Sequence, residues 1–304
     1  MNVVEAKIER NVKLAPLTSW LVGGPAEYFA EPRNLEELEA ALTWARSEKQ
    51  EVTVISGGTN VLVSDQGVRG LVVSLRKMSA LEARVENGRL VIECLAGTSK
   101  SELLKTFLKH RLEPALFLAG LPGDVGGGVV MNAGIGEMWR PREFVEIVDW
   151  IEVMRWSEEK ERFDIIRFRN DELKWSYRHC EGWRPGVIAR VGISWPNEPK
   201  ADILQRVKQA NQTRLTKQPL ELPSCGSVFV NPPGHKSGRL IEECGLKGFA
   251  IGGAQISAKH ANFIVNTGGA TASDISRLIE HARETVKTRT GIDLKTEVIR
   301  LGIW

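Results

Sequence analysis

Two glycine-rich segments carry the residues best suited to hold a ligand. The first, Ser56-Gly57-Gly58-Thr59-Asn60, lies between runs of β-branched residues. Successive backbone N–H groups there can form a nest around a pyrophosphate, with the Ser, Thr and Asn side chains as further donors. The same run is also ordinary turn chemistry, so a tight hairpin stands beside the anion nest as a reading. The second segment, Leu121-Pro122-Gly123-Asp124-Val125-Gly126-Gly127-Gly128 followed by Met131-Asn132-Ala133-Gly134, is harder to explain by turns alone. Glycine loses the most conformational freedom on folding, so this density favours a place where a ligand or another backbone comes close. The chain has no GxGxxG after a strand and no GxxxxGK[ST], which counts against a Rossmann dinucleotide fold and a P-loop NTPase. A nucleotide held by two separated glycine loops on an α+β scaffold points instead toward a flavin enzyme.

Other chemistries find little support. Cys94, Cys180, Cys225 and Cys244 form no CxxC pair and the five histidines form no HxxxH pair, so we expect no metal site and reduced thiols. Lys and Arg number 41 against 38 Asp and Glu, a net +3 without a basic stripe, so nucleic acid is not an expected partner. No run of about 18 apolar residues occurs. The start, Met1-Asn2-Val3-Val4-Glu5-Ala6-Lys7, lacks a basic stretch followed by an apolar one, and we expect a cytoplasmic protein without a membrane segment.

The elements that must position these loops follow from pattern. With 304 residues, 42% hydrophobic and 26% charged, the chain should fold as two domains. An Asn34…Glu37 capping signal opens a helix over about 35–49, and Ser99…Glu102 opens a second. Strands are expected at 52–55, 61–64, 71–75, 90–94, 147–155 and 187–195. The stretch Phe117–Gly136 carries too much glycine for a helix or a central strand and should be irregular backbone. A boundary falls at Trp195-Pro196-Asn197-Glu198-Pro199. Beyond it come a helix over 201–213, a short strand Val228-Phe229-Val230, and a helix burying Ile275, Leu278, Ile279, Ala282 and Val286. Gly291 should stop that helix before a last strand near 292–301. The sum is an α+β chain with a first domain over 1–197, in subdomains of about 16–75 and 76–197, and a second over 198–304.

Eight segments in order carry a resemblance: Thr18–Pro25, Gly57–Asn60, Leu121–Gly127, Met131–Gly134, Ser176-Tyr177-Arg178, Gly226–Phe229, Lys259–Asn266 and Leu294–Val298. Together they resemble the UDP-N-acetylenolpyruvoylglucosamine reductase family over about residues 16–302. The resemblance implies an FAD-binding module of the vanillyl-alcohol-oxidase (PCMH) type, a C-terminal α+β substrate-binding domain, and NADPH-dependent reduction of an enol ether to UDP-N-acetylmuramate in peptidoglycan precursor synthesis. It implies that Arg178 forks onto the enolpyruvyl carboxylate, where charge grows as hydride arrives. Glu297 becomes a second stabiliser of that carboxylate, and Ser227 the acid that protonates the enol intermediate. Ser56, Gly57, Gly58, Thr59, Asn60, Leu121, Pro122, Gly123, Val125, Gly126, Gly127, Asn132, Ala133, Gly134 and Ile188 would meet FAD. Tyr177, Arg214, Lys217 and Asn231 would meet substrate.

Two departures stand out. Val230 occupies a position where the family usually has Lys or Arg, and Tyr28 and Tyr177 are the only tyrosines, so the chain resembles the shorter subclass without a tyrosine-bearing insertion. Neither glycine loop contains His or Cys, so FAD should be held without a covalent bond. Expected partners are small molecules, with the chain a monomer or weak oligomer. Two other readings stand beside this one: another FAD oxidoreductase of the same scaffold acting on alcohols or hydroxy acids, and a nucleotide-binding protein with no redox role.

Overall fold

The computed structural model describes residues 5–135 and 140–304. Met1–Val4, where the segment read for a leader begins, and Gly136, the last glycine of the expected irregular stretch, lie outside them. The chain forms two compact units, each assembled from separated stretches: 1–8, 30–57 and 72–212 in the first, 9–29, 58–71 and 213–304 in the second. The units therefore change at 212/213 rather than near 197, and two early segments belong with the C-terminal part of the chain. In order, the elements are β1 Glu9–Lys13, β2 Pro25–Ala30, α1 Leu35–Ser47, β3 Val52–Ile55, β4 Val61–Val63, β5 Val68–Ser74, β6 Leu81–Glu86, β7 Arg89–Leu95, α2 Lys100–Lys109, α3 Pro114–Leu118 and α4 Val125–Val130. There follow β8 Val148–Ser157, β9 Arg162–Arg169, β10 Lys174–Ser176, β11 His179–Glu181, β12 Val187–Pro196, α5 Ile203–Lys217, β13 Ser224–Ser227, α6 Ser237–Glu243, β14 Ala250–Ile251, β15 Ala254–Ile256, β16 Phe263–Asn266, α7 Ala272–Thr290 and β17 Ile299–Leu301.

The first unit is organised on an antiparallel five-stranded sheet, β6-β7-β12-β8-β9. In β7, Leu90, Ile92 and Cys94 alternate inward, as a half-buried strand should. Central β12 is buried through Val187, Ile188, Ala189, Val191 and Ile193, which fits a strand covered on both faces. Both expected helix starts are present: Asn34 accepts from the Glu37 N–H at 2.8 Å and Ser99 from the Glu102 N–H at 3.2 Å, each satisfying an orphan donor of the first turn.

The expectation for the glycine stretch is overturned, and the short strand expected at Val228–Val230 is instead found at Ser224–Ser227. The glycine stretch contains the helix α4, Val125-Gly-Gly-Gly-Val-Val130, although glycine costs about 1 kcal/mol per helical position relative to alanine. Tertiary packing decides the outcome. A Cβ at Gly126 would stand 2.8 Å from Ala96 Cβ, and one at Gly128 only 2.4 Å from the ring of Phe144, whereas one at Gly127 would meet nothing within 4 Å. Gly126 and Gly128 are thus required by close packing and Gly127 is not.

The second unit contains the antiparallel sheet β13-β16-β15-β14, the parallel pair β4–β17 and the antiparallel pair β1–β2. Helix α7 buries Ile275, Leu278, Ile279, Ala282 and Val286, as the sequence period requires. Thr271 and Asp274 form its capping box and Gly291 ends it at φ +75°. Asp65 adds acceptors for the Ala272 and Ser273 N–H groups at 2.8 Å. The helix expected over 201–213 starts later and continues to Lys217, which puts Arg214 and Lys217 on its last turn. The last strand is regular only over 299–301, with Thr296 forming an isolated bridge to Phe229.

The glycine packing predicts a contrast within α4. Gly128→Ala should lower the melting temperature by several degrees, since overpacking costs about 1–3 kcal/mol, while Gly127→Ala should leave it unchanged or raised. Thermal unfolding of the two apoproteins checks this, and equal losses would contradict the packing account.

Candidate active site

In the first unit the two glycine loops touch through bare backbone. A Cβ at Gly57 would lie 2.5 Å from Gly123 Cα, so any side chain there would separate them. Polar ties fix the approach. The Ser56 hydroxyl donates to the Asp124 carboxylate at 2.8 Å. The Arg76 guanidinium donates to the Ser56 carbonyl at 3.1 Å and the Gly57 carbonyl at 2.9 Å. Lys100 holds the other loop, its backbone N–H on the Gly123 carbonyl and its ammonium on the Pro122 carbonyl, both at 2.9 Å. Leu121 closes back on Leu118 through its N–H at 3.0 Å, and Val125 and Ile188 are buried.

Burial dominates the electrostatics under these loops. Lys100 is 5% exposed, and desolvation brings its ammonium down to about 8, opposed by the charge of Asp124 and assisted by that of Arg178. Burial raises the Asp124 carboxyl, against the Ser56 hydrogen bond and the charges of Arg76 and Lys100. Neither Arg76, Lys100 nor Asp124 was marked as a site residue by the sequence. Lysine and arginine are mostly surface residues, and nothing in their spacing distinguishes a buried one.

A second cluster in this unit braces Arg178. The hairpin β10–β11 places Tyr177 and Arg178 at its tip, with Arg178 at φ +59°, a conformation costing an L-residue about 1–2 kcal/mol. Its guanidinium donates to the Gly134 carbonyl at 2.8 Å, with Asn132 O and Glu143 Oε1 each at 3.4 Å, and lies 4.5 Å from the Tyr177 ring centroid. Asn132 is buried and its amide donates to Glu143 Oε2 at 3.0 Å and to the Ser176 carbonyl at 3.1 Å, while its oxygen accepts from the Val145 N–H at 3.0 Å. Ala133 bridges the Gly128 carbonyl and the Phe144 N–H. A Cβ on Gly134 would meet the Arg142 carbonyl at 2.0 Å. Asn132 and Gly134, expected at the cofactor, thus also fix where Arg178 stands.

In the second unit, Ser227 and Glu297 come together on hydrogen-bonded neighbouring segments. Ser227 ends β13 opposite Phe263, after Gly226 at φ +74°. The next residues are pinned from two sides: the Glu297 N–H donates to the Val228 carbonyl at 2.8 Å and the Val230 N–H to the Lys295 carbonyl at 3.0 Å. Buried Asn262 completes the grip, its amide donating to the Phe229 carbonyl at 2.8 Å and its oxygen accepting from the Phe229 N–H at 3.0 Å. Asn60 donates to the Glu297 carbonyl at 3.0 Å, and a Cβ on Gly58 would meet the Leu17 carbonyl at 1.9 Å. Thr59 is half-buried between them. Asn262 was missed as a contributor, although one amide inside the apolar run Ala261-Asn262-Phe263-Ile264-Val265 is a legible signal.

Of the expected substrate residues, Tyr177 is 49% exposed. Arg214 donates to Gln218 Oε1 at 3.1 and 3.3 Å, and burial lowers its pKa. Lys217 is exposed. Asn231 accepts from the Ser237 N–H at 3.0 Å at the start of α6. Among the described residues no group of His, Cys, Asp and Glu could hold a metal, and no helix is long and apolar enough to cross a membrane.

The Lys100 shift has a defined sign. Between pH 8 and 10.5 the unfolded chain binds more protons at this position than the folded one, so folding stability rises with pH by up to about 1.4 kcal/mol per unit. Urea unfolding of the wild type and Lys100→Met at pH 7–9.5 should show their stability difference flat below about pH 8 and turning toward the wild type above it; a difference that stays flat throughout would mean an ordinary lysine.

Comparison with known proteins defines the family. A model described as an FAD binding domain matches residues 26–161, and one described as the UDP-N-acetylenolpyruvoylglucosamine reductase C-terminal domain matches 218–301. The chain is 37% identical over 302 residues to the UDP-N-acetylenolpyruvoylglucosamine reductase of Caldanaerobacter subterraneus subsp. tengcongensis, covering 98% of this chain and 95% of that one. It is 41% identical to the reductase of Synechococcus sp. strain CC9605, covering 96% and 94%. The crystal structure of UDP-N-acetylenolpyruvylglucosamine reductase (MurB) from Thermus caldophilus superimposes with a TM-score of 0.75 at 30% identity, over 97% of this chain and 99% of that one. The eight ordered segments, the flavin-type loops and these relatives agree, and the chain belongs to the UDP-N-acetylenolpyruvoylglucosamine reductase family.

Proposed function

We propose that the protein is an FAD-containing, NADPH-dependent reductase that converts UDP-N-acetylglucosamine enolpyruvate to UDP-N-acetylmuramate for peptidoglycan synthesis. The residues present fit the cofactor: two glycine loops meet backbone to backbone, and a Cβ on Gly127 would point into open space. When bound, FAD supplies a hydride taken from NADPH and delivered from N5 to the methylene carbon of the enolpyruvyl group. With no His or Cys in either glycine loop, we expect it to be held non-covalently. We assign the protein to the cytoplasm, acting on small molecules.

The chain's own residues handle charge and proton. Arg178, largely buried and already oriented by the Gly134 and Asn132 carbonyls, would bind the substrate carboxylate and stabilise the negative charge that spreads into it. Ser227 would give its hydroxyl proton to the carbon adjoining that carboxylate. A hydroxyl is a weak acid, and the transfer succeeds only toward a strongly basic carbanion. Glu297 would hydrogen-bond the same carboxylate. Arg214, Lys217 and Asn231 are candidates for the diphosphate and sugar. The observation that carries the reading is the hydrogen-bonded adjacency of the Ser227 and Glu297 segments, fixed by Asn262 and Asn60. Oxidation of an alcohol would need a base and no proton donor to carbon, and it is not favoured.

The test separates the half-reactions. Ser227→Ala should still be bleached by NADPH at the wild-type rate, while product formation falls by about 10²- to 10⁴-fold, followed by stopped-flow absorbance and product chromatography. Unimpaired turnover would remove Ser227 from the proton step.

A further inference from the structure

Arg76 and Lys100 each hold one glycine loop. The Arg76 guanidinium binds two successive carbonyls, those of Ser56 and Gly57, whereas at Lys100 the ammonium binds the Pro122 carbonyl and the backbone N–H binds that of Gly123. A trans peptide is planar, with its N–H opposite its C=O. Drawing a carbonyl toward a donor behind the loop therefore turns the N–H of the next residue the other way. The N–H groups so directed include those of Gly57, Gly123 and Asp124. Among the described residues none of these three donates to a protein acceptor. Unpaired backbone donors in a partly buried loop call for an acceptor, and several in one place make an anion site. Asp124 lies among these groups, its carboxylate taking the Ser56 hydroxyl at 2.8 Å. It offsets one of the two cationic charges, which leaves a net positive charge behind the loops.

We propose that Arg76 and Lys100 are positioning residues for the flavin dinucleotide: their side chains hold the Ser56, Gly57 and Pro122 carbonyls of the glycine loops away from the cofactor, so that the following N–H groups face its anionic diphosphate. The inference rests on the FAD reading above. It assigns to two basic side chains an effect on an anion that neither needs to touch. Their charge acts at a distance, while their hydrogen-bond geometry sets which end of each peptide the ligand meets. Arg76 spans two carbonyls with its planar fork, which a single ammonium reproduces less well.

The experiment measures FAD affinity and apoprotein stability together. Apoproteins of the wild type, Arg76→Met, Arg76→Lys and Lys100→Met, with Arg84→Met as a control for loss of an exposed arginine in the same unit, are titrated with FAD by fluorescence and melted without it. Loss of a charge-assisted hydrogen bond should weaken FAD binding by about 10- to 100-fold in Arg76→Met and Lys100→Met. Arg76→Lys should fall between them and the wild type, Arg84→Met should bind as the wild type does, and the loss of affinity should exceed what any fall in the apoprotein melts accounts for. Wild-type affinity in both methionine variants would overturn the proposal, as would a loss of affinity that only tracks a loss of apoprotein stability. If Arg76→Met does not fold, Arg76→Lys decides: a folded apoprotein with weakened FAD binding supports the proposal, and unchanged binding overturns it. A wild-type apoprotein that takes up no FAD would instead sink the flavin reading, and this inference with it.

Discussion

The larger unit depends on keeping two stretches of bare backbone in contact, Gly57 against Gly123. Bare backbone is poor building material. It brings no side chain to the core and carries polar groups that must find partners. The structure meets this constraint by taking the carbonyls with Arg76 and Lys100, joining the loops through Ser56 and Asp124, and packing Gly126 and Gly128 against Ala96 and Phe144. The five-stranded sheet is the frame for these ties, since α4 packs beside Ala96, just past the end of β7, and hydrogen-bonds to its carbonyl. Arg178 depends on the same frame, because Asn132 and Gly134, which orient it, follow directly from α4.

The second unit solves a different problem, the placing of short polar side chains on irregular strand ends. Ser227 lies at the irregular end of β13, after a register shift, and Glu297 lies before β17 begins, so sheet register alone cannot set their spacing. Asn262 and Asn60 substitute for it with side-chain amides that imitate ladder hydrogen bonds. Asn262 is buried with both ends of its amide paired, and half-buried Asn60 is paired through its amide nitrogen; paired amides of this kind stiffen a polar arrangement. A hydroxyl acting as an acid needs that stiffness, because proton transfer to carbon depends strongly on reach and alignment.

Helix starts were legible where a single side chain decides them, as at Asn34 and Ser99, and α7 was legible because its apolar period is unbroken. Helix α4 was not, because its stability comes from Ala96 and Phe144, which are remote in sequence and invisible to propensity. The same holds for Lys100: its depressed pKa comes from burial, and no local pattern states which lysine is buried. The division into units was also hidden, since residues 9–29 and 58–71 join a partner far along the chain. The expected site residues stand out only as members of ordered segments. Taken singly, Arg178 is a turn residue beside Tyr, Ser227 a residue after Gly, and Glu297 one polar group on an exposed edge.

The most direct measurement is anaerobic visible absorption of the purified protein during addition of NADPH and then of UDP-N-acetylglucosamine enolpyruvate. The account predicts a yellow protein that bleaches with the first addition and regains its colour with the second, with UDP-N-acetylmuramate as product. A protein that bleaches but recovers colour only with oxygen would contradict the substrate, and one that is colourless and takes up no FAD would contradict the whole account.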